Sequence, residues 1–203
     1  MRSVLKVIVV FFLIGIVGCA KEDVEPPVSP YLGYYKLVSF TSDVALDINQ
    51  DGDAEYDFFK ELDKAWFEND MNMMGEHHIS INSSSQGADV LWVRSNGMPF
   101  DGYRPNLPYL FMRFGPEGTA KYLTIKDDQV VSFEVQEAPN DIDRPEYAEA
   151  FPRYTSFRFL DANTLETKMD QKFYDEGEEV WKDVSLIAVF SKITDPDYRP
   201  VNY

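Results

Sequence analysis

Asp47-x-Asn49-x-Asp51-Gly52-Asp53-x-Glu55 places an oxygen-bearing side chain at every second position across a glycine. Alternate side chains on a tight loop converge on one point, and the glycine permits the sharp turn that a Ca²⁺ shell needs. The twelfth position of such a loop should supply a bidentate Glu. Here it is Phe58, with Asp57 one residue early. Weak, extracellular-type Ca²⁺ binding by Asp47, Asn49, Asp51, Asp53 and Glu55 is one reading. An acidic turn that satisfies local backbone groups and caps a helix is the other. His77 and His78 also invite a metal, but adjacent strand residues point to opposite faces and the chain has no third His. Close carboxylate pairs such as Asp127-Asp128 and Glu178-Glu179 are expected by chance among 35 acids. A glycosidase needs two carboxyls at a set separation in a cleft, which sequence does not show. There is no Gly-x-Ser-x-Gly and no phosphate-binding loop. The expectation is a protein that is not an enzyme and has no catalytic residues.

The remaining reactive group is Cys19, the single cysteine. Arg2 and Lys6 form a basic start, and Val7 to Val17 is an apolar run too short for a stable membrane span. The following Ile16-Val17-Gly18-Cys19 resembles the lipobox of bacterial lipoproteins. That resemblance implies cleavage before Cys19, a diacylglycerol on its thiol and acylation of the new amino group. Several chains on one residue hold a protein firmly to a membrane, whereas one holds it marginally. Ala20 is not the Asp of inner-membrane retention. Lys21-Glu22-Asp23 looks like the surface-export signal of Bacteroidetes lipoproteins. The implied address is the outer membrane, lipid-anchored and exposed on the cell surface.

These signals divide the chain into a signal peptide (1–18), a lipidated spacer (19–30), one domain (31–193) and a tail (194–203). Pro26, Pro27 and Pro30 suit a stiff spacer. The formal charge of −16 argues against nucleic acid and against adsorption to anionic lipid. With no second cysteine there is no intramolecular disulfide, so stability must come from a core. Aromatic residues at 15% can supply it.

The elements that would position any site read as β. Strands are expected at Tyr34 to Thr41, around Ile79 and Ile81, at Val90 to Arg94, Tyr109 to Phe114, Thr119 to Lys126, Val130 to Gln136, Tyr154 to Leu160, Leu165 to Phe173 and Val180 to Lys192. Leu165, Thr167, Met169, Gln171 and Phe173 alternate with Glu166, Lys168, Asp170 and Lys172, the pattern of a sheet with one wet side. Phe58, Phe59, Leu62, Ala65 and Trp66 fall at helical spacing, with Asp53 placed as the cap. The fold class is all-β, an antiparallel up-and-down barrel of about 8–9 strands with one short helix after the first strand.

Gly33-Tyr34-Tyr35 is similar to the Gly-x-Trp start of lipocalins, with Tyr35 in the Trp position. Together with the Asp47-x-Asn49-x-Asp51-Gly52 loop and the helix, it resembles lipocalin-like lipoproteins of Bacteroidetes. The resemblance implies a barrel whose interior or mouth holds a small apolar ligand. Trp92, Phe111, Phe133, Phe157 and Trp181 are the expected interior aromatics. The alternative is a filled barrel that binds glycan or protein through two long loops, 95–108 and 137–153. Phe100, Tyr103, Arg104, Tyr147 and Phe151 would form that rim. Either form is expected to be a monomer.

Overall fold

A computed structural model describes residues 28–48, 51–62, 78–85, 87–96, 99–103, 110–114, 120–135, 153–175 and 177–198. They form eleven strands and one short helix: β1 (Gly33–Leu46), β2 (Glu55–Asp57), α1 (Phe58–Leu62), β3 (His78–Ser84), β4 (Gly87–Asn96), β5 (Pro99–Tyr103), β6 (Leu110–Phe114), β7 (Ala120–Lys126), β8 (Gln129–Val135), β9 (Arg153–Asp161), β10 (Thr164–Asp175) and β11 (Val180–Lys192). All pairings are antiparallel. The main sheet runs β8-β7-β4-β3-β1-β11-β10-β9, with β2 attached to β1. β8 lies beside β9 without a described ladder, so the sheet curls into a nearly closed up-and-down barrel.

Alternation decides what faces inward. On β10, Leu165, Thr167, Met169, Gln171, Phe173 and Asp175 are buried, while Lys168 and Asp170 are exposed. On β11, Val184, Leu186, Ala188 and Phe190 are buried. Ile79 and Ile81, Leu91 and Val93, and Leu123 complete the inner wall on β3, β4 and β7. Charges outside and apolar residues inside are the reverse of a barrel built to face lipid. Burial of this interior supplies the main driving force for folding.

Bulges break the two-residue period at several points, and those on β1 and β9 reset which residues face inward. On β1 the register shifts between Leu37 and Ser39, which turns Val38 outward and brings both Leu37 and Phe40 inside. On β9 the shift falls opposite Lys168 and Met169, whose partners are Ser156 and Tyr154. Thr155 is the extra residue, so Tyr154 and Phe157, three positions apart, share the inner face.

The two ends of the barrel differ. At one end the turns are tight. Asp127 and Asp128 both take positive φ (51° and 61°) in the two-residue turn from β7 to β8, the geometry that matches strand twist in a hairpin. Tyr31 seals this end. Its hydroxyl donates to Asp128 Oδ1 at 2.9 Å, and its ring lies 4.2 Å from Phe159. The Tyr35 hydroxyl donates to Tyr31 O at 3.0 Å, and Lys192 Nζ donates to Pro30 O. Pro30 and Tyr198 both adjoin strand ends on this side, Pro30 through Lys192 and Tyr198 through the ring of Tyr34.

At the opposite end lie β2 and α1, the β5–β6 hairpin, the end of β8 with the start of β9, and the turn from β10 to β11. The hairpin leaves β4 and β5 lies against β10. Those two strands stand on opposite sides of the ring, so the hairpin crosses the mouth.

Several expectations change here. The 95–108 segment is not simply a long loop, because β4 continues to Asn96 and Pro99–Tyr103 pairs with β6. Asp53 does not cap the helix; Phe59 N–H donates to Asp57 Oδ1 at 3.0 Å, so Asp57 is the cap. Ala65, Trp66 and His77 lie outside the described residues, as do Cys19 and the rest of the leader. Among the described residues no helix is long and apolar enough to cross a membrane.

Candidate functional site at the wide end of the barrel

The loop after β1 is organised by buried carboxylates. Asp47 is 6% exposed, and its two oxygens accept the N–H groups of Asp51 (3.1 Å) and Gly52 (3.0 Å). Glu61 of α1, 2% exposed, accepts the Ile48 N–H at 2.9 Å. Asp53 N–H donates to Asp51 Oδ1 at 2.9 Å. The acidic loop therefore spends its oxygens on its own backbone, as Asx turns do. Asn49 is outside the described residues. Among the described residues no group of three or more His, Cys, Asp or Glu is placed to hold a metal ion. Phe58, at the twelfth position, is fully buried and packs between Phe40 (5.0 Å) and Phe173 (5.1 Å).

Asp175 ties this loop to β10. It is buried, and Lys182 Nζ lies 2.7 Å from its Oδ2 while Glu178 N–H donates to its Oδ1 at 2.9 Å. Burial pushes the Asp175 carboxyl up. The Lys182 bond, with the Glu178 and Asp47 main-chain N–H groups, outweighs that and holds it below the usual carboxylate range. The bonds to Asp175 and Glu178 raise Lys182 in turn. Gly177 fits the same corner, where a Cβ would stand 3.0 Å from Asp47 Oδ2.

The inner wall of β9, β10 and β11 joins aromatic surface to unspent polar groups. Tyr154 and Phe157 stack at 4.9 Å and 13°, and Phe133 of β8 meets Phe157 edge-on at 5.3 Å. Thr167 stands between Phe157 and Ala188 in the ladder, and Gln171 is opposite Val184. Among the described residues, neither Thr167 Oγ1 nor either polar atom of the Gln171 amide has a hydrogen-bond partner. Thr167 is 0% exposed and Gln171 5%. An amide withdrawn from water without a partner costs about 1–3 kcal/mol.

The expected interior aromatics divide. Phe157 is buried and Phe133 packs partly against the core. Trp92 and Trp181 are not interior; they stand on the outer face, 37% and 44% exposed. Leu91 and Val93 take the inner positions of β4, so alternation sends Trp92 out, opposite Tyr122. On β11 the inner set begins at Val184, and Trp181 instead packs on Tyr174 at 5.5 Å. Phe111 falls in β6, and Phe100 and Tyr103 fall in β5. Arg104, Tyr147 and Phe151 lie outside the described residues. Sequence reasoning passed over Thr167, Gln171 and Tyr154 as site residues. The polar positions inside the β10 alternation were a signal in plain view; the bulge that turns Tyr154 inward was not.

A cleft of about 570 Å³ is lined in part by Asp43, Arg153, Asp170, Gln171, Val184 and Ser185. Ser185 closes part of it, its N–H donating to Asp43 Oδ1 (2.8 Å) and its hydroxyl to Asp170 Oδ1 (2.7 Å). No family of proteins, no curated protein and no solved structure matches this chain.

Proposed function

We propose that this chain is a lipid-anchored, non-enzymatic binding module on the bacterial surface that takes a small, largely apolar ligand at the wide end of a lipocalin-like barrel. The supporting observation is the asymmetry of the ends. The spacer joins the sealed end through Tyr31 and Pro30, so a tether at Cys19 directs the wide end away from the membrane. Tyr154, Phe157 and Phe133 offer the apolar contact area that small-molecule sites use, with few polar groups to orient the guest. Mass spectrometry of molecules released from the full-length protein, purified from its own membrane, tests this. A stoichiometric small apolar compound is the expected result; an empty protein would count against it.

A second reading is favoured by the continuous burial from Tyr35 and Phe190 near the sealed end, through Leu91, to Leu46, Phe58 and Phe173 at the other, which fills the barrel. In it the barrel is only a scaffold, and the 95–108 and 137–153 segments grip a glycan or a protein. Binding on a glycan array with no released small molecule would select this reading.

A further inference from the structure

We propose that Gln171 is the polar anchor of the ligand site, and that the ligand carries a neutral amide-type group able both to donate and to accept a hydrogen bond. This rests on the reading of the wide end as a small-molecule site and specifies the chemistry of its guest.

Gln171 Nε2 and Oε1 are both buried, and among the described residues both lack a partner. A solvated surface amide would lose nothing by this, but Gln171 is only 5% exposed. Buried side-chain amides are almost always paired, and each exception calls for an explanation. The ladder explains why no neighbour helps. Val184 stands beside Gln171 on β11, and Met169 and Phe173 flank it on the inner face of β10. On the other side, the last described β9 partner is Arg153, opposite Asp170. The amide therefore sits in the inner wall between Met169, which pairs with Tyr154, and Phe173, on the strand that β5 approaches.

The chemistry of the complement follows. A side-chain amide offers donor and acceptor side by side, so its best partner presents acceptor and donor in the same plane. A primary amide, lactam or unionised carboxyl does this. A methyl ester can only accept. An ionised carboxylate can only accept and brings a charge into an apolar wall on a chain of net charge −16. Thr167, also buried and unpartnered, lies four residues deeper, about 13 Å along the strand. Between them Met169 provides an adaptable apolar surface. An apolar body running from Gln171 toward Thr167 would cover it.

The test uses the full-length protein in lipid nanodiscs and three probes of equal chain length: dodecanamide, methyl dodecanoate and ionised dodecanoate. Wild type should bind dodecanamide roughly tenfold more tightly than the ester, the worth of about one extra hydrogen bond. Gln171→Leu should erase that preference and leave ester binding unchanged. The same variant, free of ligand, should melt at a higher temperature, because it removes an unpaired buried amide. Equal binding of amide and ester, or a preference that survives Gln171→Leu, overturns the inference while the site itself stands. Binding of no probe to wild type overturns both. A lower melting temperature for ligand-free Gln171→Leu would show that the amide is paired within the fold, and would also overturn the inference.

Discussion

Phe133 of β8 and Phe157 of β9 meet edge to face at 5.3 Å across the seam where the ring of strands has no described ladder. Elsewhere neighbouring walls are joined by main-chain hydrogen bonds. At this seam, aromatic packing joins them. Phe157 also stacks on Tyr154, so one ring links the seam to the proposed ligand wall.

Phe157→Ala should therefore cost more than its own burial. Truncating a buried Phe typically costs about 3–5 kcal/mol. Urea unfolding should show a loss in that range. Hydrogen exchange should quicken at the β8 and β9 amides before it does at β1 and β11. Uniform quickening around the barrel would argue that the seam is held by something else.

The acidic loop behaves as architecture in this account. Asp47→Ala frees the Asp51 and Gly52 N–H groups and should destabilise the protein by about 1–2 kcal/mol, with or without calcium. Added Ca²⁺ should leave the wild-type melting temperature unchanged. A site bound only in the folded state would instead raise stability by about 2.7 kcal/mol at 100 times its Kd. A calcium-dependent rise that Asp51→Ala abolishes would restore the metal reading.

The Asp175–Lys182 pair gives a pH signature. Asp175 is lowered, so its contribution is present above its ordinary value of 3.8 and is lost as the pH falls through the folded value. Lys182 is raised, so its contribution is present below 10.5 and is lost as the pH rises past that. Asp175→Asn should cost about 2 kcal/mol, evenly between about pH 5 and pH 9. The difference from wild type should shrink in acid. A constant difference down to pH 2 would contradict the assignment.

The anchoring proposal turns on one thiol. Cys19→Ser removes the atom that accepts lipid, and the protein should leave the detergent phase on partitioning. Unchanged partitioning would sink the lipoprotein proposal.

Much of the fold is legible in the sequence because most strands are wet on one side. The β10 alternation from Leu165 to Phe173 is visible in the residue types and matches the observed burial. Asp127-Asp128 marks a turn because a short acidic side chain tolerates positive φ. What stays hidden is what breaks the period. Val38 and Thr155 are extra residues in bulges, and nothing in their types announces it. Trp92 and Trp181 mislead because aromatic rings are taken for core, yet cross-strand partners Tyr122 and Tyr174 support them on the outer wall. The three-residue β2 is held by pairing with β1 rather than by its own pattern.

The proposed ligand enters at the wide end and lies against the inner wall of β9 and β10. Hydrogen exchange of the full-length protein, before and after removal of its co-purified small molecules, tests this most directly. The bound form should be protected at the β5–β6 hairpin, at the start of β9 and around Gln171, with no change at the tight turns near Asp128 and Ala162. Protection centred on those turns, or identical exchange in the two forms, would contradict it.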